Sequence, residues 1–356
     1  MKVAMYPSRL RQNENPYFCV LVPRLKGQQI DLFEFNIFSI LVRRPDIIHI
    51  HWPERIIKGK FTRRFAALAY IHAWIMISAI KYLRKGGAKI VWTAHNLKPH
   101  DLPSPAHKLA WDYLELNFFS LIDGVVIFFP NAETQVKSRY PILSAARFAL
   151  IPHHNYIEHF ASLSSNRRIR EEFRIPPDSR FLFSFGLLRE YKNLVNLVKV
   201  FSRLDMKYVL IIAGKGDLLV EDEIRRTISS SQSNNINFVN QELTDHELAD
   251  FIREADFCIF NFSDSFNSGS VLTSLSLATP VIAPCKGATE YIRSQVGEQA
   301  YRSFANDITP QDLLRLVESA PIKAIPCDSL EYCSPDVVAV LHRSFYNSLL
   351  VKTNGT

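Results

Sequence analysis

The run Phe181–Phe185, with the sequence FLFSF, is followed by Gly186, a short polar turn and a helical pattern. Short runs of β-branched and aromatic residues that alternate with longer helical patterns are typical of a parallel sheet. The same alternation recurs along the chain and predicts an α/β protein with two doubly wound, Rossmann-like halves. The predicted strands are Val3–Tyr6, Ile47–Ile50, Ile90–Thr93, Val125–Phe128 and Phe148–Ile151, then Phe181–Phe185, Tyr208–Ala213, Ile236–Val239, Phe257–Phe260 and Val281–Ala283.

The alternation pauses at Pro152–Arg170, a stretch rich in His, Ser and Arg. We therefore predict a first domain over residues 1–160, a second over residues 161–333, and a terminal helix within residues 334–356. Ligands in doubly wound sheets bind beyond the carboxyl ends of the strands. The loops directly after the strands are thus the places to look for chemistry.

The composition suits two folded domains in a reducing compartment. The chain has 356 residues, 47% of them hydrophobic, which is enough for two ordinary cores. Its five cysteines are scattered and odd in number, which argues against a disulfide framework or a thiolate metal site. The N-terminus shows no basic-then-apolar leader, and the longest apolar stretch, Ala66–Ile80, is shorter than the roughly 20 residues that span a bilayer. We expect a cytoplasmic protein without a transmembrane helix.

The net charge of +7 is unevenly distributed. Residues 1–160 hold 21 Lys and Arg against 11 Asp and Glu, whereas the other residues hold 21 against 24. The first half is therefore expected to face an anionic partner. Nucleic acid is not expected, because the aromatic residues lie in apolar patterns and not among the basic residues, as a base-stacking groove needs. We expect anionic lipid instead.

The turn after Phe181–Phe185 predicts an anion site. Gly186 permits a sharp exit from the strand and the close approach of a ligand. Arg189 and Lys192 can place two cations over an anion. A tight turn whose cations are only solvated would have the same sequence, so this motif alone leaves both interpretations open.

A second loop follows the strand Phe257–Phe260 and leads into the helical pattern Val271–Ala278. Ser268, Gly269 and Ser270 offer backbone amides and hydroxyls at a helix N-terminus, where the helix dipole and the unpaired donors favour phosphate. An ordinary serine cap is the alternative. The two loops together favour a nucleotide-sugar site, because a diphosphate needs donors from the helix and cations from the other side.

The loops after the next two strands could line a nucleobase slot. Gly214–Gly216 follows one strand, and Asn240–Leu243 follows the next. Such loops would contact the base through their backbone, and plain strand-to-helix turns would look the same. Because backbone contacts leave little residue signature, the sequence favours neither guanine nor uracil.

In the first half, the strand Ile47–Ile50 delivers His51 and Glu54 to its carboxyl end, and a second strand is followed by His95 and Asp101. An acceptor hydroxyl that attacks a sugar carbon needs a base within hydrogen-bond reach, and a carboxylate can serve. Glu54 and Asp101 are the candidate bases, although a helix cap or a loop start would explain them structurally. We interpret His51 and His95 as sugar-contacting residues of an interdomain crevice.

His49 and His51 share one face of their strand and could ligate a metal. Zinc needs further Cys, His or acidic ligands at familiar spacing, and none follows. We expect neither a metal nor another cofactor.

Basic residues flank the apolar helical pattern Phe65–Ile80. Lys58–Arg64 precedes it, and Lys81, Arg84 and Lys85 close it. Such flanks suit a segment that lies against anionic headgroups. A core helix of the first domain is the simpler interpretation.

These motifs resemble those of the GT-B glycosyltransferases, and more closely the β-mannosyltransferases of xanthan-type exopolysaccharide assembly. The resemblance covers nearly the whole chain. Each motif alone is weak, but the ordered set is specific. The set comprises Asn15-Pro16-Tyr17, His49–Glu54, His95-Asn96-Leu97 with Pro99-His100, Phe185-Gly186-Leu187 with Arg189, Tyr191 and Lys192, Asn267-Ser268-Gly269, and Leu275–Ala278 before Pro280-Val281.

The resemblance implies a GT-B fold, in which two Rossmann-like domains face across a cleft and the terminal helix crosses back to the first domain. The donor, GDP-mannose in the xanthan enzyme, would bind the second domain, with Arg189 and Lys192 on its diphosphate. The acceptor would be a polyprenyl-diphosphate-linked oligosaccharide at the basic first domain. The enzyme would lie on the cytoplasmic face of the inner membrane and act by an inverting displacement that needs no metal.

The chain departs from the commonest retaining GT-B enzymes. Those enzymes carry two glutamates separated by seven residues, and alignment on Thr279-Pro280-Val281 puts Ser265 and Thr273 at these positions. The missing carboxylates argue against a retaining reaction. Thr273 is then a candidate for the contact with the donor ribose.

Three alternatives stay open. One is a UDP-hexose or UDP-hexuronate donor on the same fold. Another is a nucleotide-sugar epimerase, which would convert its substrate without any acceptor. The third is a non-catalytic protein that binds a membrane or a polysaccharide.

Overall fold

The computed structural model describes residues 1–7, 15–58, 67–99, 104–263, 266–318 and 327–351. The chain divides into two compact units, Met1–His154 with Cys333–Thr356, and Asn155–Tyr332. Within the described ranges, each unit is built on one six-stranded sheet whose neighbouring strands are all parallel. The predicted α/β class is confirmed. We call the compact unit that begins at Met1 unit 1 and the one that begins at Asn155 unit 2.

The strands and helices alternate along both units. The strands are β1 Lys2–Tyr6, β2 Asp31–Glu34, β3 Ile47–Ile50, β4 Lys89–Thr93, β5 Gly124–Ile127, β6 Arg147–Leu150, β7 Arg180–Phe185, β8 Tyr208–Ala213, β9 Ile236–Val239, β10 Phe257–Ile259, β11 Val281–Pro284 and β12 Tyr301–Phe304. The α-helices are α1 Pro16–Gly27, α2 Ile37–Arg43, α3 Ala67–Lys85, α4 Pro105–Phe119, α5 Ala132–Arg139, α6 Ile157–Phe160, α7 Ile169–Glu172, α8 Leu194–Phe201, α9 Leu218–Ser231, α10 Asp245–Glu254, α11 Gly269–Ser276, α12 Ala288–Ala300, α13 Pro310–Glu318 and α14 Pro335–Leu350. Short 3-10 helices cover Pro53–Ile56, Pro141–Ala145, Glu190–Lys192 and Cys327–Cys333.

The strand order of each sheet fixes where a ligand site can form. In unit 1 the order is β2-β1-β3-β4-β5-β6, which reverses between β1 and β3. In unit 2 the order is β12-β11-β10-β7-β8-β9, which reverses between β7 and β10. At such a reversal the flanking loops diverge and leave a crevice at the carboxyl ends of the strands. The loops after β3, β7 and β10 border these two switch points.

The terminal helix α14 belongs to unit 1 and packs against α1. Gly124 at the start of β5 permits this packing. A Cβ atom at Gly124 would lie 2.7 Å from the Phe345 ring and 2.8 Å from Leu349. A larger residue at position 124 would push the helix away from the sheet.

One apolar core of unit 2 lies on a single face of its sheet, where Leu182 and Leu210 are register partners. Leu182 and Leu210 of the central strands are fully buried with Leu197 of α8 and Leu313 of α13. The predicted capping box is present at α10, where Glu247 N donates to Thr244 Oγ1 at 3.3 Å.

All ten predicted strands are present, with ends within one residue of the prediction. Two edge strands were missed, β2 and β12. Edge strands tolerate charged residues, and in these two strands such residues interrupt the apolar pattern on which the prediction depends. β2 contains Asp31 and Glu34, and β12 contains Arg302.

Helix α3 differs from the predicted helix Phe65–Ile80 because it continues through Lys81–Lys85. Its start lies next to residues 59–66, which are outside the described residues. Ala73 and Ile77 bury one face, whereas Trp74 and Ile71 leave the opposite face apolar and exposed. Of the helices within the described ranges, none has the length and apolar character that crossing a membrane requires.

Candidate functional site

The loop after β7 and the start of α11 bring three predicted site residues together. Gly186 has a φ of +105°, a region that side-chain-bearing residues rarely adopt. A Cβ atom at Gly186 would lie 2.7 Å from Lys192 Nζ and 3.7 Å from Ser270 Oγ. Lys192, Gly186 and Ser270 therefore lie close together where the strand order of unit 2 reverses, between β7 and β10.

Lys192 is a buried cation with an incomplete set of partners. Its Nζ donates to the backbone carbonyl oxygen of Phe185 at 3.1 Å, and burial lowers the pKa of its ammonium to about 8. No carboxylate pairs with it among the residues that the structure describes. A buried ammonium costs free energy unless an anion compensates its charge. The arrangement is suited to receiving an anionic ligand.

Ser268 does not cap α11 with its side chain. It stands at the N-cap position of the helix, yet its hydroxyl makes no cap hydrogen bond. The side chain is 4% exposed, and within the described part of the chain its Oγ has no hydrogen-bond partner. Gly269, the next residue, has open space where a Cβ atom would point. A buried hydroxyl beside open space at a helix N-terminus is a donor site for an anion.

The two loops of this site are held to each other by hydrogen bonds. Ser263 N donates to the carbonyl oxygen of Tyr191 at 2.8 Å, and Asn261 Nδ2 donates to that of Asn193 at 3.3 Å. Arg189 is half-buried and immediately precedes the 3-10 helix Glu190–Lys192. The scaffold is thus fixed before any ligand arrives.

Thr273 lies one turn further along α11. It is buried, and its Oγ1 donates to the carbonyl oxygen of Gly269 at 3.0 Å. Its proton is therefore used within the helix, and its lone pairs are what it can offer a ribose. Ser265, which aligns with the other glutamate of the retaining enzymes, lies outside the described residues. The ribose contact stays a prediction.

A pocket opens beside Gly186. Two glycines allow the loops around it to approach each other closely. A Cβ atom at Gly214 would lie 2.1 Å from the carbonyl oxygen of Gly186, and one at Gly216 would lie 2.4 Å from that of Leu188. The pocket is mainly apolar, with one carboxylate and one ammonium, and its lining consists of Phe185, Gly186, Leu187, Ala213, Gly214, Lys215, Glu242, Leu243 and Leu248.

Glu221 ties the loops behind this pocket together. Its Oε1 accepts from Gly216 N at 2.9 Å, and its Oε2 accepts from Asn240 Nδ2 at 2.8 Å. The bond from Gly216, followed by that from Asn240, lowers the pKa of the carboxyl. Glu221 was not predicted from sequence, because an acid inside an amphipathic helix looks like a solvated residue.

In unit 1, the end of β3 presents a buried pair of histidines. His51 Nδ1 lies 2.9 Å from His95 Nε2, and both rings are buried. Trp52 stacks on His95 with ring centroids 4.2 Å apart. His95 therefore contacts both His51 and Trp52 and holds their rings in place. Burial lowers the pKa of both imidazoles well below the usual value, so both are neutral near pH 7.

Glu54, one of the two candidate bases, is half-buried in the 3-10 helix Pro53–Ile56. Burial raises the pKa of its carboxyl. A carboxylate whose pKa moves toward neutrality is a stronger base. Asp101, the other candidate, lies outside the described residues.

Glu54 and His51 line the same small pocket at the carboxyl ends of β3 and β4. Six of its twelve lining residues have aromatic rings. The lining consists of His51, Trp52, Pro53, Glu54, Trp92, Asn96, Leu97, Lys98, Pro99, Trp111, Phe119 and Tyr140. Trp52 directly follows a predicted strand, whereas Trp92, Trp111, Phe119 and Tyr140 were not predicted as lining residues, since they look like core in the sequence.

His49 is committed to a hydrogen-bond network in the core of unit 1. Its Nδ1 lies 2.6 Å from Tyr346 Oη of α14, and its Nε2 lies 2.7 Å from Thr93 Oγ1. Across the described ranges, no group of three or more His, Cys, Asp or Glu side chains could hold a metal ion.

Comparison with known proteins fits this architecture. Residues 179–317, which lie in unit 2, match the family described as "Glycosyl transferases group 1". A GDP-mannose:glycolipid 4-beta-D-mannosyltransferase of Xanthomonas campestris pv. campestris is 25% identical over 291 residues, which cover 80% of this chain and 74% of the relative. The chain is a glycosyltransferase with the GT-B fold.

Solved structures show the same fold for this glycosyltransferase. The Anabaena protein Alr3699/HepE in complex with UDP and glucose has a TM-score of 0.65 at 11% identity and covers 98% of this chain and 99% of its own. A glycosyltransferase from Rickettsia africae ESF-5 has a TM-score of 0.65 at 13% identity, with 99% of both chains covered. A sucrose-phosphate synthase from Thermosynechococcus elongatus has a TM-score of 0.62 at 14% identity, with 94% of this chain and 79% of its own covered.

Proposed function

We propose that this glycosyltransferase moves mannose from GDP-mannose onto a polyprenyl-diphosphate-linked oligosaccharide, with inversion to a β-linkage, in exopolysaccharide assembly. The Xanthomonas relative carries the corresponding name, and its identity to this chain is 25%. Our proposal depends on the residues of unit 2 for the donor and on those of unit 1 for the acceptor.

The observation that carries the proposal is the grouping of Lys192 and Ser270 around Gly186, together with the unpartnered hydroxyl of Ser268 at the N-terminus of the same helix as Ser270. It combines a buried ammonium without a carboxylate partner, a buried hydroxyl without a partner and a helix N-terminus, all at the switch point of a Rossmann-like sheet. A diphosphate supplies the negative charge and the acceptor oxygens that these groups need. Arg189 adds a second cation on the same loop.

The pocket beside Gly186 suits the nucleobase of the donor. Its apolar walls can pack on the base, and Glu242 contributes the one carboxylate among the lining residues. Guanine presents two adjacent donors, N1–H and the exocyclic amine, which a carboxylate can accept together. Uracil presents a single N–H between two carbonyl oxygens, and a carboxylate repels these oxygens. Glu242 therefore favours GDP over UDP.

In the transfer step, the Glu54 carboxylate acts as the base. The acceptor hydroxyl oxygen bonds to C1 of the mannose while the bond from C1 to the β-phosphate oxygen breaks. GDP leaves with that electron pair, and the proton of the hydroxyl passes to the Glu54 carboxylate. Attack opposite the leaving group turns the α-linked donor into a β-linked product.

The lipid-linked acceptor calls for a membrane-facing surface, and unit 1 offers an apolar one. Helices α2 and α3 pack together and leave large apolar side chains in solvent. Phe38 is 76% exposed, Trp74 is 54% exposed and Ile71 is 52% exposed. Exposed apolar groups that cluster on neighbouring helices mark an interaction surface.

The charge of unit 1 favours an anionic bilayer as the partner of this surface. Residues 1–160, which contain all of unit 1 except its terminal segment, carry a net charge of +10, from 21 Lys and Arg against 11 Asp and Glu. Lys81 and Lys85 are exposed at the end of α3. Basic residues beside an inserted apolar face strengthen binding to anionic lipids. Unit 1 thus lies on the inner membrane without spanning it.

Calorimetric titration with GDP, UDP and GDP-mannose tests the donor site. We expect GDP and GDP-mannose to bind, and GDP to bind about tenfold tighter than UDP, which corresponds to about 1.4 kcal/mol. Glu242→Ala should reduce that preference, whereas Glu223→Ala, an exposed acid of α9 outside the pocket lining, should leave it unchanged. Failure of all three ligands to bind would overturn the proposal.

A further inference from the structure

The pocket beside Gly186 has walls from the loops that follow β7, β8 and β9. The β7 and β8 loops are joined through their backbones. Leu188 N donates to the carbonyl oxygen of Lys215 at 3.2 Å, and Asp217 N donates to that of Leu188 at 3.0 Å. Because both partners are main-chain groups, these bonds persist when side chains are changed. The two loops therefore form one continuous wall.

The β9 loop is joined to that wall by a side chain. The bonds between the β8 and β9 backbones reach Gly214, whose N–H donates to the carbonyl oxygen of Val239 at 3.1 Å. Beyond this point Glu221 of α9 accepts from Gly216 N at 2.9 Å and from Asn240 Nδ2 at 2.8 Å. Glu221 is 4% exposed and lies outside the lining of the pocket. One carboxylate behind the pocket thus holds two of its loops together.

This contact acts on the short segment that carries Glu242. The segment runs from Asn240 to Thr244, where a capping box anchors it at the start of α10. Glu242 lies midway between the two anchored ends and is exposed. An exposed side chain keeps its rotamer freedom, so the place of its carboxylate depends on the backbone that carries it. Fixing both ends of the segment therefore restricts where the Glu242 carboxylate can lie at the pocket.

Asn240 has a second amide atom that the contact with Glu221 does not use. Its Oδ1 is buried and has no hydrogen-bond partner among the described residues. Rotation of the amide by about 180° exchanges Oδ1 and Nδ2, so Asn240 can also accept a hydrogen bond from position 221. A glutamine there can accept from Gly216 N with its oxygen and donate to Asn240 with its nitrogen. Glu221→Gln is therefore able to keep both bonds.

We infer that Glu221 is a positioning residue for base selection, which holds the β9 loop against the β8 loop and thereby keeps the Glu242 carboxylate in place to accept from guanine. The inference rests on the proposed function, because it requires a guanine nucleotide in this pocket. Glu221 acts through Glu242 and not on the diphosphate. Its loss should therefore change the difference between nucleotides and spare the binding of a diphosphate alone.

Calorimetry with GDP, UDP and inorganic pyrophosphate separates these contributions. In the wild type we expect GDP to bind about tenfold tighter than UDP. Glu221→Ala should lower this ratio to about twofold and leave the affinity for pyrophosphate within about twofold of the wild-type value. Glu223→Ala, at an exposed acid of the same helix, should change neither quantity.

Two further variants distinguish positioning from a general loss of structure. Glu221→Gln should restore most of the preference for GDP, because it keeps both hydrogen bonds. Glu221→Ala combined with Glu242→Ala should give the same ratio of GDP to UDP affinity as Glu242→Ala alone, since the first residue acts through the second. Asn240→Ala removes the same contact from the other side and repeats the test if Glu221→Ala does not fold.

Two outcomes would overturn the inference. One is an unchanged preference for GDP in Glu221→Ala. The other is a parallel loss of affinity for all three ligands in both Glu221→Ala and Asn240→Ala, which would limit the contact to general stabilisation of unit 2. A wild type that binds none of the three ligands contradicts the proposed function itself. A wild type that prefers GDP, with a Glu221→Ala variant that prefers it equally, contradicts the inference alone.

Discussion

Lys192 Nζ donates a hydrogen bond to the carbonyl oxygen of Phe185 at 3.1 Å, at the residue directly before Gly186. This hydrogen bond to the last residue of β7 holds the ammonium beside Gly186, near which the Ser270 hydroxyl also lies. Because one neutral carbonyl does not compensate a buried charge, this contact leaves the cation ready for an anion. The predictions for the donor site follow from it.

The protonation of Lys192 should control donor affinity. Burial lowers the pKa of its ammonium to about 8 in the free protein, so above that pH a growing fraction loses the charge that the diphosphate needs. We expect the affinity for GDP to fall as pH rises above about 8, with a limiting slope of about tenfold per pH unit. Calorimetry between pH 7 and 9.5 measures this.

Two variants provide the comparison for that pH profile. Lys192→Met should bind GDP weakly at every pH and show no such slope. Lys192→Arg, whose charge persists across the range, should lose the slope even if its affinity is reduced. An unchanged pH slope in Lys192→Met would assign the titration to another group.

Gly214 and Gly269 should respond differently to alanine. A methyl group at Gly214 would lie 2.1 Å from the Gly186 carbonyl oxygen, which is backbone and cannot rotate away, whereas one at Gly269 meets nothing within 4 Å. We expect Gly214→Ala to lower the free energy of unfolding by about 2 kcal/mol or more, and Gly269→Ala to change it by less than about 0.5 kcal/mol. Urea denaturation followed by circular dichroism tests both, and equal stability of the two variants would contradict the described loop geometry.

The sequence was sufficient to predict the two loops that approach each other at the edge of the unit 2 sheet, because backbone chemistry leaves a local signature. The role of these loops in donor binding stays a prediction. A strand that ends in Gly186, and a serine-glycine pair that opens a helix, are each read from adjacent residues. The partnership of Lys192 with Ser270 across two loops was also expected, since neighbouring parallel strands end at the same edge. The absence of a cap hydrogen bond at Ser268 was not, because a capping and a non-capping serine have the same sequence.

The buried histidines of unit 1 should make it sensitive to acid. Burial lowers the pKa of His153 to about 3 and that of His342 to about 4. In the unfolded chain a histidine has a pKa of about 6.5, so as the pH falls below this value the unfolded state takes up protons that the folded state excludes. Stability is fully present above about pH 6.5 and is lost on acidification.

We expect the free energy of unfolding to be lower at pH 5.5 than at pH 7.5, by about 1.4 kcal/mol for each of these two histidines. Every tryptophan of the chain lies in unit 1, so tryptophan emission during urea denaturation reports on this unit. His342→Phe should reduce the pH dependence, and His246→Gln, an exposed histidine of unit 2, should not. A pH-independent midpoint between 7.5 and 5.5 would show that the imidazoles are not buried as described.

Membrane binding should depend on the exposed face of α3. Trp74→Ser removes an aromatic group that is 54% exposed, and Leu219→Ser removes an apolar group that is 75% exposed on unit 2. In co-sedimentation with phosphatidylserine-containing vesicles, we expect Trp74→Ser to weaken binding about tenfold and Leu219→Ser to have no effect. Added salt should weaken binding of the wild type. Equal effects of the two substitutions would exclude this face as the contact.

The pocket of unit 1 could be predicted only in part. His51 and Glu54 were found because they directly follow a predicted strand, the place where sites form in such sheets. Trp92, Trp111 and Tyr140 join them through tertiary packing, and each alone looks like an ordinary core residue. Asp101 was predicted by the same rule as Glu54 and lies outside the described residues, so its role stays a prediction.

Product analysis with radiolabelled GDP-mannose and bacterial membrane lipids tests the central claim most directly. Our account predicts that label moves into the lipid fraction as a β-linked mannose, with one GDP released for each mannose transferred, and that Glu54→Gln lowers this rate by about 100-fold or more. Glu133→Gln, a half-buried acid of α5 that pairs with Lys137, should transfer at the wild-type rate. Conversion of the donor without any acceptor, or transfer from UDP-glucose or UDP-glucuronate but not from GDP-mannose, would contradict it.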